Sequence, residues 1–491
     1  DQPATLVWAE ALDGGDAGVE AAERDRVFEL AAPFTGEPAV LATLGLRYGG
    51  VLWSDDQLAI VSEWWWKTRQ TRTWRLWPGT PGKAPKLLHE RSFEDRYADP
   101  GRPLTRSDER ARQVLRTTAD GHGLYLVGDG ASTEGDRPFL GRFDLTSGES
   151  TRLFHSAAPF YERPIELLDA AGHRLLVRRE SRDDPPNYFL RDLQTGELRQ
   201  ITHFPHPAPQ LRGVPKELVR YQRGDGVDLT GTLYLPPGYQ AKENGPLPLL
   251  LWVYPREFKS AEAAGQVTDS PYRFDRISWY SAMLWVSRGY AVLDDPSMPI
   301  VGEGEIEPND TYVAQLVTSA EAAIDEMVRR GVAERGRIAI GGHSYGAFTT
   351  ANLLAHSDLF AAGIAMSGAY NRTLTPFGFQ SEERTLWQAP EIYVGMSPFL
   401  FADRINEPLL LVHGEADNNP GTFPMQSERF FSALQGLGAT TRLVMLPEES
   451  HGYRARESVL HMLWEVDRWL ETWVKNAQPT DPPRVEGVVV E

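Results

Sequence analysis

Gly342-His343-Ser344-Tyr345-Gly346 fits G-x-S-x-G, a pattern that carries information only when it joins a strand to a helix. Both neighbours have that character: Arg337–Ile340 reads RIAI, and a helix-like stretch starts at about Ala347. The pattern has a steric origin. A serine on a tight, strained turn needs neighbours without side chains two positions away, and the turn then exposes its hydroxyl at the N-terminus of the following helix. A glycine-rich chain can also produce such a turn around a bystander serine, so partners are required. A serine hydroxyl is a poor nucleophile without an adjacent base. Folds that use this turn supply the rest in the order Ser, Asp/Glu, His. Asp417 lies in HGEADNN after the apolar run LLLVHG, and His451 lies in ESHGY after RLVML. Both fall in loops after strands, on the edge that carries Ser344.

The competitors are weaker. Of 11 histidines, His343 and His413 lie too close to the turn or a strand end to act as base and read as structural. His356 and His461 sit within helices. Asp417 is preferred over Glu415 and Asp403 on loop position, against the plainer role of an Asx-turn residue. Acyl transfer also needs donors for a developing oxyanion. The backbone N–H of Tyr345 follows the nucleophile directly. A second donor is expected from the loop after an earlier buried strand, where the Tyr254 phenol is the candidate, or else a strand-end core aromatic.

The elements that must position these residues alternate strand and helix from about residue 214. Pro248–Tyr254 (PLLLWVY) is a continuous apolar run, as expected of a strand covered on both faces. Tyr290–Leu293, Ala361–Met366, Pro408–Val412 and Arg442–Leu446 continue the strand series. On Tyr312–Arg330, Val313, Leu316, Val317, Ala320, Ile324 and Met327 share one helical face. Phe423–Leu437 and Ser458–Val474 are further helices. This rhythm implies a doubly wound, mostly parallel sheet. Residues 1–213 differ, with short strands at Leu6–Ala9, Leu58–Ser62, Leu124–Val127 and Leu175–Arg178 separated by polar turns. The hexapeptide Asp144–Glu149 (DLTSGE) recurs as Asp192–Glu197 (DLQTGE). Repeats of about 50 residues built from short strands suggest propeller blades, with a sandwich of similar hairpins as the simpler alternative. About four units are legible, fewer than a closed propeller usually has.

Composition narrows the partners. The 491 residues carry 50 Lys+Arg, 68 Asp+Glu and a formal charge of −18, which argues against nucleic acid or an anionic membrane as main partner. With no cysteine, disulfides, thiolate metal sites and a cysteine nucleophile are excluded. No run approaches the ~18 apolar residues of a membrane span. No metal-ligand spacing or nucleotide fingerprint stands out, so neither metal nor cofactor is expected. The chain opens on Asp1 rather than Met. That suggests a leader or further protein upstream and leans toward an exported, periplasmic bacterial protein.

GGHSYGAF, HGEADNN and ESHGY, in this order, resemble the prolyl oligopeptidase family of serine peptidases. SGAYNRTLTPFGFQSEERTLW (Ser367–Trp387), YPREFKSAEAAGQV (Tyr254–Val267) and IVGEGEIEPNDTYVAQL (Ile300–Leu316) resemble its glutamyl endopeptidase branch, known from chloroplasts and bacteria. The resemblance implies an α/β-hydrolase domain over 214–477, a β-propeller over 1–213 that is incomplete at its N-terminus, and a Pro-rich tail over 478–491. It further implies Ser344, Asp417 and His451 as triad, Tyr254 as oxyanion tyrosine, and Asn419 as a substrate-backbone contact. Cleavage after glutamate needs a cation in the first specificity pocket, because a buried unpaired carboxylate is costly and arginine can grip it bidentately. Arg372 is the first candidate and Arg256 the second; either could instead be a surface ion pair. The expected partners are a peptide or unfolded-protein substrate, and a homo-oligomer or an N-terminal propeller segment.

Two alternatives stand beside this reading. One is a dipeptidyl or acylaminoacyl peptidase, or an esterase, of the same fold; the other is an inactive propeller–hydrolase scaffold. An aminopeptidase would need carboxylates for the substrate amine. Glu382-Glu383 and Glu448-Glu449 are available but read as solvated charges.

Overall fold

Leu249, Leu250 and Leu251 are all buried, because their strand lies between two helical layers. In the computed structural model, which describes residues 5–80 and 82–477, this strand is β3 of an eight-stranded sheet. Its members are β1 (Lys216–Gln222), β2 (Asp228–Tyr234), β3 (Leu247–Trp252), β4 (Ala291–Asp294), β5 (Ala333–His343), β6 (Ala362–Met366), β7 (Leu409–Gly414) and β8 (Thr441–Leu446). Their spatial order is β1-β2-β4-β3-β5-β6-β7-β8. β2 pairs antiparallel with β1 and β4; every other pairing is parallel.

Side-chain alternation divides the core into two layers. Leu249, Leu251 and Leu293 pack with α1 (Tyr312–Arg329), α2 (Tyr345–His356) and α3 (Met425–Gly436). Leu250, Trp252 and Val292 point the other way, onto α4 (Arg456–Leu470) and the turn Ala282–Arg288. The expected face of α1 is largely the buried one. Leu316, Ala320, Ile324 and Met327 are fully covered, and Val313 and Val317 pack at the margin.

The chain divides into two compact units. The sheet above belongs to Ala208–Gly265 together with the residues from Asp275 on; the N-terminal residues through Pro207 join Gln266–Phe274. Besides a two-stranded pair (Thr105–Ser107 with Gln113–Leu115), the described residues of the N-terminal unit form four consecutive antiparallel sheets, one of three strands and three of four. They are built on Thr5–Leu44, Arg47–Ser92, Arg102–His155 and Tyr161–Gln200. Strand pairing stays within each sheet, so hydrogen bonds do not close them into a barrel.

Their packing is sequential. Ala59 and Val61 face Val27 and Ala42 of the first sheet, while Leu58 and Ile60 on the same strand face Leu124 and Leu126 of the third. Tyr125 and Val127 turn to Leu175 and Val177 of the fourth. The hexapeptide repeat is one Asx turn used twice. The Asp144 carboxylate accepts from the Thr146 and Ser147 N–H groups, and Asp192 from those of Gln194 and Thr195. The Pro-rich tail 478–491 lies outside the described residues.

Candidate active site

Tyr254, Ser344, Asp417 and His451 follow β3, β5, β7 and β8 respectively, so the parallel strands deliver all four to one edge of the sheet. Ser344 has φ 59° and ψ −115°, a conformation a non-glycine residue holds only under constraint. A Cβ on Gly342 would lie 2.5 Å from the Gly346 carbonyl carbon, and one on Gly346 would fall on the Val253 carbonyl oxygen. The Ser344 N–H donates to the Met366 carbonyl at 2.8 Å, which fastens the turn to β6.

The polar chain is continuous. Ser344 Oγ lies 2.9 Å from His451 Nε2, and His451 Nδ1 lies 2.8 Å from Asp417 Oδ2. A carboxylate only accepts, so the proton sits on Nδ1 and Nε2 is left to accept from the serine hydroxyl. Asp417 is 3 % exposed and takes three further donors. These are the Asn419 N–H at 2.9 Å, Thr422 Oγ1 at 3.1 Å and His413 Nε2 at 3.1 Å. Burial alone would raise its pKa, but the hydrogen bonds from His413, His451 and Asn419 prevail and hold it well below the usual carboxylate range.

Sequence reasoning set His413 aside as structural. It is not the base, yet it belongs to the network. It is fully buried, and because Nε2–H donates to Asp417, its Nδ1 must accept from Ser427 Oγ at 2.6 Å. The i, i+4 spacing of His413 and Asp417 across the β7 end was the available signal. His343 is a second such residue. Its Nε2 donates to the His451 carbonyl at 2.7 Å and its ring packs 4.7 Å from the His451 ring. Burial pushes its pKa down to about 4, so it stays neutral beside the base. The loop carrying His451 also presses on β7: a Cβ on Gly414 would overlap the Glu449 and Ser450 carbonyls.

Tyr345 opens α2, so its N–H has no intrahelical acceptor. The Tyr254 ring stands edge-on to Tyr345 at 5.9 Å and is 42 % exposed. Burial, then the Glu257 charge, raises its phenol pKa, which keeps it a proton donor. The two arginine candidates separate by environment. Arg256 is exposed, on a short strand (Arg256–Phe258) paired with Pro299–Val301. Arg372 is 3 % exposed, in a turn after β6. Its guanidinium carbon lies 4.1 Å from the Phe348 ring, 4.6 Å from Phe379 and 5.7 Å from Tyr345. Its Nε–H has no hydrogen-bond acceptor among the described residues. Burial lowers its pKa, offset in part by Tyr345, Tyr312 and Glu257. Asn419 is half-buried, and its Oδ1 accepts from the Gly421 N–H at 3.1 Å.

Of the paired acids, Glu383 and Glu448 are exposed as the sequence suggested, but their neighbours are not. Glu382 is buried and grips Arg384 with both oxygens at 2.7 Å. Glu449 is buried and accepts from the Arg454 and Ala455 N–H groups at the start of α4. Both carboxylates satisfy internal donors, which explains why charged groups can sit there.

A nucleophile elbow, an acid–histidine–serine chain and a doubly wound sheet define an α/β-hydrolase domain of the serine type. Residues 314–477 match the Prolyl oligopeptidase family, and residues 225–392 match the X-Pro dipeptidyl-peptidase (S15) family. The chain thus carries a prolyl oligopeptidase family domain. It is 53% identical over 98% of its length to "Probable glutamyl endopeptidase, chloroplastic" of Arabidopsis thaliana, covering 52% of that protein. The Oryza sativa subsp. japonica protein of the same name is 52% identical over 99% of the chain, 53% of its own length being covered. The chain thus spans about half the length of these curated relatives. In fold it is similar to a solved Mycobacterium tuberculosis puromycin-hydrolyzing peptidase, with TM-score 0.65 and 22% identity over 96% of this chain and 68% of that one. Among the described residues, no helix is long and apolar enough to cross a membrane.

Proposed function

We propose that this chain is the catalytic part of a serine peptidase that cleaves peptides or unfolded protein after glutamate. The observation that carries the specificity is Arg372, a buried guanidinium that makes no ion pair among the described residues and sits against the ring of the residue after the nucleophile. A buried cation of that kind is costly unless something negative completes it, and a substrate glutamate at P1 would do so. The names of the plant relatives point the same way.

The reaction follows from the hydrogen-bonded chain. His451 takes the Ser344 proton through Nε2 as Oγ attacks the scissile carbonyl. Asp417 orients the imidazole and stabilises its charged form. The Tyr345 N–H and the Tyr254 hydroxyl receive the oxyanion. His451 then protonates the leaving amine, and water releases the acyl group. Residues 214–477 form the catalytic domain in this reading, with Asn419 holding substrate backbone. The four stacked sheets within 1–213 act as propeller blades, a role their face-to-face sequential packing supports. An aminopeptidase is less well supported, because the Glu382 and Glu449 carboxylates are engaged internally.

The test is cleavage of a library of peptides varied at P1, with Ser344→Ala as blank. Preference for glutamate over glutamine and over apolar residues is expected. Cleavage after apolar residues alone would retain the triad and refute the specificity; no cleavage and no fluorophosphonate labelling of Ser344 would refute the enzyme.

A further inference from the structure

Glu257 lies three residues beyond Tyr254, half-buried on the short strand that leaves the oxyanion loop. Its Oε1 accepts the Tyr345 hydroxyl proton at 2.5 Å. The phenol remains the donor, since burial and then Glu257 raise its pKa well above the ordinary value. The same Tyr345 ring lies beside the Arg372 guanidinium. A resident carboxylate and the buried cation therefore flank one aromatic ring. They feel each other electrostatically, but Arg372 makes no ion pair among the described residues.

We propose that Glu257 is a specificity-determining residue: a fixed negative charge that tempers how strongly Arg372 favours glutamate over neutral P1 side chains. It rests on the reading of Arg372 as the P1 receptor. A P1 glutamate brings a second carboxylate to a pocket that already holds one, and like charges at close range are repulsive in a poorly solvated site. Tyr345 has a defined part. By hydrogen bonding Glu257 it keeps that carboxylate from swinging onto Arg372 and quenching the cation. Cleavage leaves a product whose C-terminal glutamate carries two carboxylates, its side chain and the new α-carboxylate. The resident charge therefore weakens product binding more than substrate binding.

Two peptides identical except for Glu or Gln at P1 provide the test, with kcat and KM measured separately. In Glu257→Gln, the Glu/Gln ratio of kcat/KM should rise on the order of tenfold, mainly through KM for the glutamate peptide. Inhibition by the C-terminal-glutamate product should tighten in parallel. In Tyr345→Phe, which keeps the backbone N–H, the ratio should fall as the released carboxylate reaches Arg372. A ratio unchanged or lowered in Glu257→Gln overturns the proposal. Should that variant not fold, Tyr345→Phe decides alone, and an unchanged ratio overturns it. If the wild type itself does not distinguish Glu from Gln, the Arg372 reading fails with it. If the wild type prefers Glu, and Arg372→Met abolishes this while Glu257→Gln does not move the ratio, only the role of Glu257 fails.

Discussion

Replacing Arg372 with methionine should move activity and stability in opposite directions. The side chain is 3 % exposed, so a substrate carboxylate in the pocket would lose its only buried cationic partner while remaining desolvated. Leaving one member of such a pair uncompensated costs about 3–5 kcal/mol, or roughly 10²- to 10⁴-fold in kcat/KM for glutamate at P1. Without substrate the ledger differs. The free protein carries the desolvation of a guanidinium, several kcal/mol in effect. Against it stand the Phe348 and Phe379 faces at 4.1 and 4.6 Å, each worth about 2 kcal/mol when desolvated. Methionine keeps most of the volume and the aromatic contacts, so the variant should be about 1–3 kcal/mol more stable, raising Tm by about 2–6 °C. Initial rates on paired P1 Glu and P1 Gln peptides, beside a thermal melt of the same preparation, read both effects. A variant that still prefers glutamate refutes the pocket assignment. One that melts several degrees lower refutes the claim that the cation is costly in the free protein.

Two further outcomes follow from the network and the core. His413→Leu should lower kcat about 10- to 150-fold with KM nearly unchanged, the size expected for one lost hydrogen bond to a charged acceptor; steady-state kinetics on a single peptide check this. Glu407 is buried, its Oε2 has no hydrogen-bond partner among the described residues, and burial pushes its carboxyl up to about 7. A raised folded pKa means that the group's stability is fully present below about pH 4.5 and is lost as pH rises to about 7, close to 3 kcal/mol across that window. Glu407→Gln should therefore melt about 5 °C above wild type at pH 8 and nearly with it at pH 4.5; a difference that does not change with pH would falsify the assignment.

The catalytic domain was readable because its signals are local. Apolar runs such as LLLWV mark strands covered on both faces, and the elbow announces itself through glycines that the structure shows to be sterically required. Chain order then left one plausible base. The first strand, Lys216–Gln222, was missed because it is an antiparallel edge strand with exposed polar residues and no continuous apolar run. The environment of side chains was less legible than their identity. Glu382 and Glu449 read as surface charges because nothing local reveals that their segments are buried, although Arg384 lies only two residues from Glu382 and a helix start follows Glu449. His413 is a similar case: strand-end position excluded it as base, but only the folded loop brings Asp417 back onto its ring. Sequence placed Arg372 ahead of Arg256, but the burial that separates them was not legible, because it depends on Phe348 of α2 closing over the segment that carries Arg372 and Phe379.

The contact between Gly346 and the Val253 carbonyl has a consequence for how this scaffold can change. It bolts the start of α2 to the end of β3 backbone against backbone, and the two oxyanion donors proposed here are the residues next to it, Tyr345 and Tyr254. The main-chain packing thus fixes the Tyr345 N–H and the Tyr254 backbone, from which the phenol hydroxyl reaches through its own side chain. Arg372 and Phe379 hang on a separate segment after β6. Drift in that segment can retune which residue is accepted while that main-chain contact stays untouched. Tyr345 is where the two meet, since its N–H is the proposed oxyanion donor and its ring lies beside Arg372.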